Sequence, residues 1–137
     1  MLEQHALLAL MFEQVRRASP GVLRRQAVDH LLSILRGHLA GMRHSLLPAL
    51  SASDPTVDLA HQIVGSYAWM EQALTAAIAS DVNSPLFGET FEPLAEATAA
   101  MLSMERGVLI PWIHRVLRPT AAEGLASALE HHFGHSD

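Results

Sequence analysis

Histidine, methionine and glutamate side chains recur on the apolar faces of the helices predicted for this chain. His38 is followed four residues later by Met42, and Met101 is followed four residues later by Glu105. Side chains four residues apart lie on the same face of a helix, one turn from each other. A buried imidazole or carboxylate needs a hydrogen-bond partner, an opposite charge or a metal ion. These positions therefore predict either a metal site or an internal hydrogen-bond network.

Two further histidines extend this set, since they fall on the apolar stripes of the first and third predicted helices. Three imidazoles with one carboxylate would suit a single divalent ion such as iron or zinc. Thiolate ligands are excluded, because the chain has no cysteine. The predicted metal ligands are His5, His38, His61 and Glu105, and the predicted cofactor contacts are Met42 and Met101.

The remaining polar aromatic residues carry less weight. Tyr67 could donate a hydrogen bond near the site from the third helix, although its phase relative to His61 is poor. We expect the histidines beside arginines, and the one two turns before His38, at the surface, and those near the C-terminus in solvent, where they could bind metal adventitiously. These surface and terminal histidines are His30, His44, His114, His131, His132 and His135.

Four stretches with helical periodicity must position these residues. On the third we expect an inward stripe that starts at His61 and continues through Val64, Ala68, Leu74 and Ile78. Two of the other stretches contain a proline near their C-terminal ends, where we expect a bend or a stop. The predicted helices span residues 2–18, 22–50, 56–80 and 88–117.

Short connectors between these helices predict an all-α fold, an antiparallel up-down-up-down four-helix bundle. A short amphipathic segment, TAAEGLASALEHHF, predicts an extra C-terminal helix. With 137 residues, half of them apolar, we expect one domain over residues 1–137.

The composition excludes several classes of partner. Nine arginines and no lysine stand against 14 acidic residues, which gives a net charge of −5. This balance argues against nucleic acid and against an anionic membrane surface. No apolar run is long enough to cross a membrane, and the N-terminus lacks the features of a signal peptide, so we expect a soluble, cytoplasmic protein. Apolar residues left without a place in the bundle are compatible with a homodimer.

The order of these residues resembles the hemerythrin-like family of HHE cation-binding proteins. The resemblance rests on His5 in EQHALL, on HLAGM ahead of SLLP in the second helix, on AHQIV in the third, and on MLSMERGVLIP in the fourth. It spans nearly the whole chain. It implies a four-helix bundle that holds two irons bridged by oxygen and carboxylates.

The chain departs from this family pattern at two of six implied ligands. Met42 stands where the family has a bridging glutamate, and Met101 where it has the histidine of the fourth helix. A thioether neither bridges nor neutralises two hard cations. The resemblance therefore favours a site with fewer ligands than the family has. It would hold iron, in mononuclear or dinuclear form, or another divalent ion.

The leading functional hypothesis is a metal-binding protein, more a binder than an enzyme, that binds, senses or stores oxygen, nitric oxide or metal. Three alternatives stay open from the residues alone. One is copper or haem held by histidine and methionine. Another is a metal-free bundle that serves as a structural or interaction module, with the methionines as core residues. The last is an enzyme that uses Glu105 as an acid or base.

Overall fold

All regular structure in the described part of the chain is helical, as predicted. No helix in that part is both long and apolar enough to span a membrane. The computed structural model describes residues 2–46, 48, 50 and 57–116, and the predicted C-terminal helix lies outside them. The helices are α1 Leu2–Arg17, α2 Val22–Gly41, α3 Val57–Ala79, α4 Gly88–Met104 and α5 Ile110–Val116, with π-helical segments at Met42–Leu46 and Glu105–Leu109.

Helices α1 and α2 bury the faces that the sequence predicted. On α1 the apolar stripe from Leu8 to Val15 is buried, and Arg16 and Arg17 lie in the last turn, where positive charge complements the helix dipole. On α2 the stripe from Val28 to Leu35 is buried and continues into His38. Burial of these stripes in one hydrophobic core stabilises both helices.

Helix α3 turns a different face to the core from the one predicted. The predicted inward stripe includes His61, Val64, Ala68 and Ile78, and the structure exposes all four. Apolar and small residues occur on more than one side of this helix, so hydrophobic periodicity alone gave the wrong phase. The buried face of α3 consists of Ile63, Tyr67, Met70, Ala73, Leu74 and Ala77.

Each π-helical segment comes shortly before a proline. The first one ends at Leu46, two residues before Pro48, and the second ends at Leu109, two residues before Pro111. At the second, the Ile110 amide donates to the carbonyl of Glu105, five residues back. A wider turn suits this place, because proline has no amide hydrogen for the α-helical bond four residues back.

The turn between α1 and α2 contacts the loop between α3 and α4. Gly21 has a positive φ of 138°, which side chains larger than hydrogen disfavour. Its amide donates to Oδ1 of Asn83 at 2.8 Å. Arg24 adds hydrogen bonds to the carbonyls of Ala18 and Val82. These bonds join two connections that are distant in sequence.

Candidate metal centre

The first turns of α1, the last turn of α2 and the start of the second π-helical segment meet inside the core. There His5, His38 and Glu105 place their ligand atoms within 4.8 Å of one another. Nε2 of His5 lies 2.8 Å from Oε1 of Glu105, and Nε2 of His38 lies 2.6 Å from Oε2. The side chains of His38 and Glu105 have no exposed surface, and His5 has 3%. We call these three residues the His-His-Glu cluster.

Tyr67 completes the set of hydrogen bonds to the carboxylate. Its hydroxyl donates to Oε2 of Glu105 at 2.5 Å. Burial, the negative charge of Glu105 and this hydrogen bond all raise the pKa of Tyr67 above its ordinary value. The phenol therefore keeps its proton and acts as a donor.

Gln4 contacts the far side of His38. Its Oε1 lies 2.7 Å from Nδ1 of His38, while Nε2 of the same ring lies 2.6 Å from Oε2 of Glu105. Gln4 and Glu105 therefore hold the two ring nitrogens of His38 and fix the orientation of its ring.

His5 is held differently from His38. Its Nε2 donates to Glu105, but its Nδ1 is buried and has no hydrogen-bond partner in the described part of the chain. Nε2 is therefore the ring nitrogen of His5 that contacts the cluster. In a metal site this nitrogen would bind the cation through its lone pair, with the ring proton on Nδ1.

The carboxyl group of Glu105 is ionised in spite of its burial. Burial alone raises its pKa, but hydrogen bonds from His38 and His5, the charge of His38 and the bond from Tyr67 outweigh that effect. Together they lower the pKa of Glu105 to about 2. A buried negative charge with two imidazoles on it is an arrangement that can exchange protons for a metal ion.

The structure places the predicted site residues in three groups. His5, His38 and Glu105 come together in the cluster, whereas His61 lies exposed on α3, away from it. The expectation of an inward-facing His61 is wrong, because the buried face of α3 carries Tyr67 instead. Met42 and Met101 are buried in the core, with 1% and 0% exposure.

Gln4 is a cluster contact that was not predicted from the sequence, and Tyr67 was predicted only as a donor near the site whose phase relative to His61 was poor. Both have a signal in the sequence. Gln4 lies four residues before Leu8 and so falls on the same stripe of α1, and Tyr67 is spaced by four and three from Ile63 and Met70. A polar residue on an apolar stripe of a helix indicates a buried hydrogen-bond contact.

The donor set fits one divalent ion. Two imidazoles and one carboxylate are known ligands of non-haem iron and of zinc. With bonds of about 2.1 Å, neighbouring ligand atoms lie roughly 3.0 to 3.4 Å apart, so the cluster would have to widen by about half an ångström. His38 would keep its Nδ1 bond to Gln4, the kind of second contact that orients metal-binding histidines.

The same residues do not fit a pair of irons of the hemerythrin-like type. Glu105 is the one carboxylate of the cluster within the described residues. Met42 and Met101, at the other positions implied by the resemblance, offer a thioether each. Two hard cations would remain without enough negative charge.

Comparisons with known proteins do not help to interpret this geometry. No model of a protein family matches the chain, no curated protein matches it, and no solved structure matches it. The chemistry of the cluster is therefore the basis for any statement about function.

Proposed function

We propose that this protein binds a single divalent transition-metal ion, iron or zinc, through Nε2 of His5, Nε2 of His38 and the carboxylate of Glu105. Protein ligands would occupy three positions, and the remaining ones would be open to a small molecule such as oxygen or nitric oxide. The protein would act as a binder, sensor or store.

The single observation that carries this proposal is the buried, ionised Glu105 with two imidazoles on it. An ion pair in a core is not needed for stability, since apolar residues of similar size often serve as well. The same three residue types, within 4.8 Å of one another, form a recognised metal-ligand set. Metal binding gives this arrangement a role that stability does not.

We extend the proposal to the architecture, an antiparallel up-down-up-down bundle similar to the hemerythrin-like proteins. Two contacts support it. The hydrogen bond between Gln4 and His38 joins the start of α1 to the end of α2, and the bond between Arg24 and Ala18 joins the end of α1 to the start of α2. Antiparallel neighbours make both contacts.

A second candidate is a metal-free bundle in which the cluster is a hydrogen-bond network. One observation favours it, namely that three donors already satisfy Glu105. Copper or haem bound by histidine and methionine remains a further alternative, and a visible absorption spectrum of the purified protein would identify either.

The deciding experiment measures bound metal in a chain whose three C-terminal histidines, His131, His132 and His135, are replaced by glutamine. These replacements remove an adventitious source of binding. Iron, zinc and copper are quantified by elemental analysis, with ferrous iron or zinc then added to the metal-free protein. We expect one ion per chain. At about 100 times the dissociation constant, the ion should add about 2.7 kcal/mol to the free energy of unfolding.

The matched pair His38→Gln and His61→Gln tests the assignment. We expect the first variant to lose the ion and the second to keep it, because His61 is exposed on α3. Metal-free protein whose melting temperature does not change on adding iron or zinc would favour the metal-free bundle. Equal loss of metal in both variants would contradict the ligand assignment.

A further inference from the structure

A groove lies between the end of α2, the first π-helical segment and α3. Its cavity has a volume of about 120 Å³, enough for a molecule of a few heavy atoms. Most of its walls are apolar, and Tyr67 contributes the polar group. The residues that form the walls of this α2–α3 groove are Leu39, Met42, Val64, Tyr67 and Ala68.

Two wall residues place the groove next to the cluster. The hydroxyl of Tyr67 is bonded to Glu105, so one wall of the groove contacts the cluster directly. Met42 lies one turn after His38 on the same face and is 1% exposed. A small molecule in the groove would therefore contact a side chain that is itself bonded to the cluster.

An ion pair lies at the rim. Arg43, in the first π-helical segment, pairs with Glu71 of α3, and both residues line the groove. Their side chains are 62% and 43% exposed. Exposed ion pairs contribute little net stability, so this one can open by rotation of its side chains.

We propose that the α2–α3 groove is the route by which small uncharged molecules reach the His-His-Glu cluster, with Arg43 and Glu71 as its gate. The inference rests on the proposed function for its purpose, which is to supply a ligand to the ion. The groove can be tested in metal-free protein, because Met42 lines it whether or not metal binds.

The first test uses Met42 in metal-free protein as a reporter. Hydrogen peroxide transfers one oxygen atom to a thioether sulfur, which becomes a sulfoxide, and the peroxide leaves as water. Peptide mass spectrometry follows this reaction at each methionine. We expect Met42 to react several-fold faster than Met70 and Met101, which are equally buried and do not line the groove.

Variants then close or open the groove. Val64→Phe should slow the oxidation of Met42 several-fold, Ala68→Leu should act in the same direction, and Glu71→Gln should speed it. Ile78→Phe is the matched control, because Ile78 is on the same helix with 44% exposure against 48% for Val64. Both wall positions are at the surface, so the filled variants should fold, and circular dichroism verifies this.

The second test uses protein loaded with ferrous iron and measures the rate of nitric oxide binding by stopped-flow absorbance. Val64→Phe should slow this rate several-fold, while Ile78→Phe leaves it unchanged. If Val64→Phe leaves either rate unchanged, the route is wrong. If no iron binds, the proposed function fails separately, and the Met42 oxidation rates alone decide whether the groove is a route.

Discussion

At the scale of single residues, Glu105 determines the character of the core. It is a charged side chain without exposed surface, held by donors from three other helices. Such a charge is tolerated only while its partners remain in place. The cluster should therefore respond to substitution as a unit rather than residue by residue.

Replacing Glu105 with glutamine should destabilise the metal-free protein. The neutral amide keeps the size but removes the charged acceptor that His5, His38 and Tyr67 share, and each buried group left without a good partner costs about 1 to 3 kcal/mol. Urea denaturation in the presence of a chelator measures this. Glu96→Gln, at an exposed position of the same helical stretch, is the control. Equal stability of the two variants would contradict a stabilising role for the carboxylate of Glu105.

Gln4 should affect metal affinity without being a ligand. Gln4→Met removes the acceptor that orients His38, and loss of such a contact weakens metal binding by about 10- to 100-fold. Competition titration against a chelator gives the dissociation constant. Gln14→Met, on the exposed side of the same helix, should leave affinity unchanged. An effect of similar size from both variants would rule out an orienting role for Gln4.

The sequence predicted three of the cluster residues, gave Tyr67 only a minor place as a donor and missed Gln4, and each shortfall has a physical reason. His5, His38 and Glu105 lie on stripes whose phase is fixed by large apolar neighbours. Gln4 drew no prediction, and amide side chains are mostly exposed in folded proteins. Tyr67 was tied to the phase of His61, and that phase was wrong.

At the scale of elements, helix existence and bounds were predictable, while the orientation of α3 was not. Helices α1 and α2 have one apolar side each, so their buried faces follow from spacing. On α3 the predicted stripe and the buried one are both largely apolar. The choice between them depends on which residues of α4 pack against α3. A single sequence does not give that information. The two prolines indicated a bend, but not a π-helical turn.

The turn between α1 and α2 allows stability to be separated from metal binding. Gly21→Ala puts a Cβ on a residue with φ of 138°, a conformation that L side chains rarely adopt. We expect a loss of about 1 kcal/mol or more in the free energy of unfolding, measured by urea denaturation. Metal affinity should stay the same, because the turn lies at the far end of α1 from His5.

Gly65→Ala is the control for this turn variant. Gly65 lies within α3, has an ordinary helical conformation and has open space where a Cβ would be added. The substitution should leave the free energy of unfolding unchanged or raise it, since alanine has a higher helix propensity than glycine. If Gly21→Ala were equally harmless, strain at the turn would not matter to stability.

At the scale of the whole molecule, the cluster makes the free energy of unfolding depend on pH in the acidic range. The pKa of Glu105 is lowered from 4.5 to about 2 on folding. Its contribution is therefore complete above pH 4.5 and is lost as the pH falls toward 2, and it is on the order of 3 kcal/mol. Urea denaturation of metal-free protein across this range measures the loss.

Comparison with Glu105→Gln isolates this contribution from the other acidic groups. The variant has no carboxyl group at this position, so its stability should fall less steeply between pH 4.5 and 2. Parallel curves for the two proteins would mean that Glu105 titrates alike in the folded and unfolded chain.

The π-helical segment Glu105–Leu109 accommodates one more residue than the α-helical turn that it replaces. A deletion of one residue within it would restore regular winding, because five residues of a π-helical turn cover about the same rotation as four of an α-helix. Glu105 would stay on its face, and Trp112 and Ile113, both buried, would stay in the core. The same deletion in the regular part of α4 would instead turn everything beyond it by about 100° around the axis. The wide turn is therefore the place in this helix where the chain can lose a residue and keep both the ligand and the packing of α5.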